Sequence, residues 1–327
     1  MATLSAGNYA GFSKNGNIWS IHTINLVNPL TLRYQATWPL NKKAPEIKVT
    51  ASSNLADKAQ NPQIWIDNGR KLKLKIPANG IRQAIFPIRS FVPGKKTTTL
   101  IHLQSDSGKV LTSKLEWTPL AAVAAGQSAA PWADFSEWHK FGKGGSGDLC
   151  SGKVRLFYDA KGIMVEVKVI DDEHHQPKAQ SSPGKLWAAD SVQVAFDLDA
   201  SKPWNAGVVG AGLSGHRVFE YSIGATGSGK AVVFRERSYI DGLPSNVTVP
   251  EVKASLKREG NESTYSIHFP WSTLGSDKPL PRGSVIGFAL AVNDVDPTRK
   301  AKRHGISLFK GIVESKDAHE YGKVWLR

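Results

Sequence analysis

The sequence predicts an all-β protein made of two successive β-sandwich domains. Three observations carry that expectation. Short runs that alternate apolar and polar residues recur along the whole chain, and glycine, proline, asparagine and aspartate fall between them. One stretch of small uncharged residues, 121–131 (AAVAAGQSAAP), divides the runs into two groups. Helical periodicity is lacking except for one turn around Trp271–Leu274, which Pro270 is suited to start.

The first group covers 1–120. Its expected strands are 19–24 (WSIHTI), 31–37 (TLRYQAT), 46–51 (EIKVTA), 71–76 (KLKLKI), 83–88 (QAIFPI), 97–104 (TTTLIHLQ) and 110–117 (VLTSKLEW). KLKLKI alternates strictly, which puts Leu72, Leu74 and Ile76 on one face and the lysines on the other. The prolines sit between or beside these runs, where no ladder N–H is required. Strands of this number and spacing predict an immunoglobulin-like sandwich. No motif in this half identifies a function.

The segment 121–131 reads as a linker or a covering strand, with Trp117 and Trp132 entering a core on either side. The second group covers 132–327, with longer alternating runs at 153–159, 162–171, 190–198, 216–223, 251–257, 264–269 and 284–292. Val165, Val167 and Val169 are expected to point inward, and Asp159 to Gly162 to form the hairpin turn between the first two runs. Asp171 and Asp172 end a strand, where carboxylates accept turn N–H groups or bind a cation. Trp271 is expected to plug the end of the core, and Asn293 and Asp294 to brace the loop that follows them.

Composition bounds the rest. The 40% hydrophobic and 21% charged residues fit a globular protein, and no apolar run is long enough for a membrane helix. The start, MATLSAGNYAGF, has no charged region followed by an apolar core, as a mature secreted domain or a cytosolic protein would. A single cysteine, Cys150, excludes an internal disulfide and a cysteine-based metal cluster. The net charge of +14 is uneven: residues 1–120 hold 16 Lys and Arg against 5 Asp and Glu, a balance of +11, and the remainder holds 26 against 23. Such a basic half suits a polyanion, a sulfated or uronic-acid polysaccharide before nucleic acid, or simply confers solubility.

Five pieces, 148–176 (DLCSGKVRLFYDAKGIMVEVKVIDDEHHQ), 186–199 (LWAADSVQVAFDLD), 265–274 (YSIHFPWSTL), 283–296 (GSVIGFALAVNDVD) and 321–327 (YGKVWLR), occur in an order and spacing that resembles family 9 carbohydrate-binding modules and their DOMON-like relatives. The resemblance implies a non-catalytic sugar-binding sandwich, carried as an accessory module of an extracellular or periplasmic polysaccharide-degrading system beside a glycoside hydrolase or lyase. It also implies structural calcium, for which Asp171, Asp172 and Asp190 are the candidate ligands, with Asp134 and Glu173 as further oxygen donors. The tryptophan of the W-x-x-D-S-V piece, Trp187, corresponds to one jaw of the family's aromatic clamp, and Gln193 stands where a hydroxyl-bonding glutamate is common. Arg217 falls where the family supplies a basic sugar contact. Glu220 is a further rim candidate, although alternation sets it opposite Arg217.

The sequence departs from the family in the loop before the last strand, 310–322 (KGIVESKDAHEYG), which lacks the second clamp tryptophan. That loop offers Glu314, Lys316, Asp317 and His319 instead, and Trp204 is a replacement jaw. A changed ligand, such as an acidic sugar, and a fold retained as a structural spacer or protein-interaction module are both open. Enzymatic motifs are missing: there is no G-x-S-x-G, no H-E-x-x-H and no complete phosphate loop around 227–230. His174 and His175 lack further spaced ligands. Met164 reads as a core residue between aliphatic neighbours rather than a haem ligand. Neither haem nor a nucleotide is expected, nucleic acid is not an expected partner, and the ligand is expected to be a polysaccharide or oligosaccharide.

Overall fold

The computed structural model describes residues 3–14, 17–27, 30–55, 58–126, 130–138, 150–175, 183–202, 215–226, 229–296, 304–313 and 315–327. The chain forms two compact units, residues 1–90 with 97–117, and residues 91–96 with 118–327.

The first unit holds β1 (Thr3–Lys14), β2 (Asn17–Val27), β3 (Leu30–Thr37), β4 (Glu46–Ser53), β5 (Gln63–Ile66), β6 (Leu72–Lys73), β7 (Ile81–Pro87), β8 (Thr97–Gln104) and β9 (Val110–Trp117). β1 and β2 pair as an antiparallel hairpin, and the others form two antiparallel sheets ordered β3-β4-β7 and β6-β5-β8-β9. Alternation decides which residues are inside: Ile47, Val49 and Ala51 of β4 and Ile101 and Leu103 of β8 are fully or almost fully buried. KLKLKI keeps its lysines outside and buries Ile76, but only Leu72–Lys73 enters a sheet; Ile76 makes an isolated bridge to Gln60. β5 (QIWI) is absent from the expected strands because four residues after a proline are too few to display a period.

The second unit holds β10 (Ala121–Ala124), β11 (Ala133–Phe135), β12 (Glu137–Trp138), β13 (Ser151–Tyr158), β14 (Gly162–Ile170), β15 (Ser191–Asp197), β16 (Val218–Ala225), β17 (Ala231–Ser238), β18 (Val247–Thr248), β19 (Lys253–Glu259), β20 (Glu262–Pro270), β21 (Val285–Asp294), β22 (His304–Leu308) and β23 (Gly322–Leu326). The hydrogen-bonded path runs β18-β17-β16-β15-β21-β23-β10-β13-β14-β20-β19. On β21, residues 285–288 pair with β23 and residues 290–294 with β22. The path folds back over itself into a β-sandwich, so that Phe196 of β15 meets Phe269 of β20 edge to face at 5.0 Å. Val165, Val167 and Val169 join this core, as expected.

The segment assigned as a linker is in part structural. Residues 121–124 are β10, parallel to both β13 and β23, with Ala121 and Ala122 buried. Their small side chains let the strand fit between two neighbours, which is the covering-strand alternative. Trp117 is buried, whereas Trp132 is only half-buried and lies 4.4 Å from the Arg155 guanidinium. Met164 is likewise not a core residue: alternation along β14 turns it outward, opposite His268. Trp271 is buried and donates from Nε1 to the Asp159 carbonyl at 3.0 Å, anchored by the short 3-10 turn Trp271–Leu274 that Pro270 caps.

Candidate functional site

β15, β16 and β21 lie side by side and are buried on both faces, for opposite reasons. Val192, Val194 and Phe196 of β15 face the main core. Cross-strand register then puts Ser191, Gln193 and Ala195 on the other face, opposite Ser222 and Glu220 of β16 and Asn293, Ala291 and Ala289 of β21. This second face is covered by the loop 309–321, whose Ile312, Ala318 and Tyr321 pack on Ala195, Ala289 and Ala291. Gly311 permits that packing. It has φ +98°, and a Cβ there would collide with the Tyr321 ring and the Asp317 carbonyl.

Where the loop stops covering the sheet, a cleft of about 340 Å³ opens, lined by Trp187, Gln193, Glu220, Glu236, Arg237, Asn246, Val313 and Lys316. Trp187 stands half-buried on the short turn Pro183–Ala188, its Nε1 donating to the Gly184 carbonyl at 3.1 Å. Gln193 and Glu220, 5% and 2% exposed, form the floor. Gln193 Nε2 lies 3.4 Å from both Glu220 Oε1 and Ser222 Oγ, and Asn293 Nδ2 lies 3.5 Å from Gln193 Oε1. Lys316 Nζ contacts Glu220 Oε1, and Arg237 Nε lies 3.8 Å from Glu220 Oε2. Ser222 Oγ donates to Glu236 at 2.6 Å, yet burial still raises the Glu236 carboxyl above its ordinary range, with Glu220 adding to the shift. The cleft thus combines one aromatic wall, an amide that both donates and accepts, two carboxylates and two cations. That set suits a polyol with one apolar face.

The structure brings Trp187, Gln193 and Glu220 together in this cleft. Arg217 does not join them. Alternation turns it away, and it forms a two-point ion pair with Asp199 (Nε–Oδ2 2.9 Å, Nη2–Oδ1 2.8 Å). Burial alone would raise the Asp199 carboxyl, but Arg217 and Lys202 hold it well below the usual carboxylate range. His319 also lies off the cleft, sharing a 2.7 Å hydrogen bond with Asp317. Trp204 and Glu314 lie outside the described residues.

Glu236, Arg237 and Asn246 carry no signal in a single sequence. A β-bulge on β17 opposite Glu220 and Tyr221 brings Glu236 and Arg237 toward the cleft, and neither bulge nor partner is written in the local pattern. Asn246 and Lys316 both have left-handed backbone, φ 58° and 51°, a conformation that costs non-glycine residues energy and often accompanies functional sites.

The candidate cation ligands are partly corrected. Asp171 and Asp190 come together, but Asp172 is exposed and does not join them. Asp171 belongs to two groups, one with His174 and Asp190 and one with Asp294 and Asp296, the ligand atoms of each group lying within 4.8 Å of one another. Asp134 and Glu173 belong to neither. All four aspartates are at most 5% exposed. Arg258 approaches Asp171 only to 3.8 Å, and burial, reinforced by Asp190, pushes the Asp171 carboxyl up to about 7. A buried, oxygen-rich and strongly acidic cluster is chemically suited to a hard cation such as calcium, so the residues present fit the group. Asp294 and Asp296 are legible in retrospect as the D-x-D of NDVD.

A half-exposed tryptophan above a buried polar floor on a β-sandwich is an arrangement suited to a sugar ring. Residues 124–327 match the family described as carbohydrate family 9 binding domain-like, and the chain belongs to that family. Among solved structures it is similar to a family 9 carbohydrate-binding module from Caldicellulosiruptor kristjanssonii in complex with cellotriose. That similarity has 14% identity and a TM-score of 0.43, and covers 63% of this chain and 93% of the other. The module from the same organism in complex with glucose matches at 14% identity and a TM-score of 0.41, covering 64% and 94%. No curated protein matches the chain. Among the described residues, no helix is long and apolar enough to cross a membrane.

Proposed function

We propose that the protein captures a carbohydrate reversibly, without transforming it, in the cleft between Trp187 and the Gln193–Glu220 floor. The observation that carries this reading is the convergence of three separately positioned residues: Trp187 from the 183–188 turn, Gln193 from β15 and Glu220 from β16, in one cleft of about 340 Å³. The indole supplies an apolar wall for the C–H face of a pyranose, and the amide and carboxylates meet its hydroxyls. Glu220 and Glu236 are already tied to Lys316 and Ser222, which suits holding a ligand rather than cycling protons. The cognate family is one of binding domains, which also favours a non-enzyme. A screen of neutral, uronic and sulfated oligosaccharides by calorimetry tests the reading. Trp187→Ala is expected to weaken the best ligand at least about tenfold, with the bound sugar recovered intact after long incubation. Equal binding by wild type and variant, or cleavage of the sugar, overturns it and favours a spacer or a catalyst respectively.

The finer reading is an accessory module of an extracellular or periplasmic system, acting beside a glycoside hydrolase or lyase on an acidic or sulfated glycan. The basic charge of residues 1–120 supports an acidic polymer, and an immunoglobulin-like first domain suits a module of that kind. Calcium held by Asp171, Asp190, Asp294 and Asp296 belongs to the same reading: a divalent cation would neutralise carboxylates that burial otherwise forces together. Chelation with EGTA is expected to lower the melting temperature, and calcium, not sodium, to restore it. An unchanged melt under chelation removes calcium from the proposal.

A further inference from the structure

The first unit has a surface that the cleft does not account for. On the solvent side of the β6-β5-β8-β9 sheet, Trp65 of β5 stacks on His102 of β8, with ring centroids 5.0 Å apart and planes 19° apart. Lys71 Nζ lies 4.4 Å from the Trp65 centroid and reaches on to Gln104 Oε1 at 3.3 Å. His102 shares a 2.9 Å hydrogen bond with Thr112 on β9. Register adds the next row, Lys73 opposite Gln63 and Gln63 opposite Gln104. Acids on this face among the described residues include Glu116, which is ion-paired with Lys114, and Asp67, whose Oδ1 accepts from the Leu100 N–H at 2.8 Å. Here the inward positions, Ile64, Ile101 and Leu103, already fill the core, so Trp65 and His102 are surplus to packing.

We propose that this face binds an anionic polysaccharide laid across the strands, a second contact independent of the Trp187 cleft. An ammonium held over an indole is fixed in place instead of sweeping through solvent, so it meets a carboxylate or sulfate with less ordering cost. Strands about 4.8 Å apart present one cross-row of side chains after another, a spacing comparable to the advance of a sugar chain. Gln63 and Gln104 offer paired amide donors and acceptors to hydroxyls, and Lys71 and Lys73 meet the charges. The +11 balance of residues 1–120 supplies long-range attraction of the right sign. A single-stranded nucleic acid fits less well, because its bases need an open ring and Trp65 is already engaged by His102 and Lys71.

The inference shares the glycan reading of the protein but rests on different residues. The test uses the full chain and affinity electrophoresis in gels containing polygalacturonate, dextran sulfate, a neutral glucan or single-stranded DNA, at low and moderate salt. Trp65→Ala and, separately, Lys71→Gln with Lys73→Gln are expected to lose at least about tenfold in affinity for one of the two acidic glycans. The uronate and sulfate arms identify which group is read. Thermal melts confirm folding, and the surface lysine pair serves if Trp65→Ala is unstable. Acidic-glycan binding that survives in Trp187→Ala is expected to keep its dependence on Trp65 and on the Lys71 and Lys73 pair, so failure of the cleft reading and failure of this one are separable. Acidic-glycan binding indifferent to both variants, no acidic-glycan binding at all, or DNA bound equally with the same dependence on Trp65, overturns the proposal.

Discussion

The two faces of the β15–β16–β21 sheet are buried almost equally but by different means. One face is a hydrophobic core of Val192, Val194, Phe196, Phe219, Tyr221 and Phe288. The other alternates alanines with Gln193, Glu220, Ser222 and Asn293, and a loop from elsewhere in the chain covers it. A side chain deleted from the first face leaves a void that only dispersion had filled. A side chain deleted from the second leaves a charge or amide stranded, or a ligand unheld. Burial alone therefore does not distinguish a structural residue from a binding one; the chemistry of what it touches does.

The comparison can be broken most strongly at Phe196, which lies 5.0 Å from Phe269 and 5.7 Å from Phe288 between ring centroids. Phe196→Ala is expected to cost about 3–5 kcal/mol, read as a large fall in melting temperature. A loss under about 1 kcal/mol would mean that the core collapses around the gap.

Just beyond the end of β15, Asp199 joins the two kinds of burial. Its carboxyl is held low by Arg217, so its contribution is present above the unfolded carboxyl pKa of about 3.9 and lost as pH falls below it toward the folded value. Asp199→Asn is expected to lower stability at neutral pH and flatten the acid side of a plot of melting temperature against pH. Parallel curves for wild type and variant would remove Asp199 as a source of acid sensitivity.

On the cleft face, Lys316→Met leaves Glu220 with the longer Arg237 contact and the 3.4 Å contact from Gln193 Nε2, for an expected loss of about 1–2 kcal/mol, since Lys316 itself is a third exposed. Adding Glu220→Gln is expected to recover part of that loss while still weakening sugar binding. The smallest stability change belongs to Trp187→Ala, within about 1 kcal/mol, because its ring is half-buried and its role lies in the ligand. A large destabilisation there would make Trp187 a structural residue of the second face.

Much of this was legible before any coordinates. Period-two alternation identified the valines of β14 and the β15 run, Pro270 marked the turn at Trp271–Leu274, and the order of five pieces pointed to the sandwich. Trp187 and Gln193 could be singled out because their sequence neighbours set their rim and strand positions. Alternation also predicted that Arg217 and Glu220 face opposite ways, but both are charged, so their own chemistry did not say which of them faced the cleft. β5 was too short to show a period, and residues 121–124 were too small and uncharged to be told from a linker.

The amino-acid sequence by itself determined the all-β class, the two-part organisation and the family of the second part, because those depend on local periodicity and ordered motifs. Tertiary structure decided the rest. It brought Asp294 and Asp296, more than 100 residues away in sequence, to Asp171, and left the adjacent Asp172 outside. It joined Lys316 to Glu220 across 96 positions and exchanged Arg217 for Arg237 in the cleft. The physical reason is that a binding site is a sum of short-range contacts between distant segments, and which segments meet is set by sheet register, a bulge and the path of one loop.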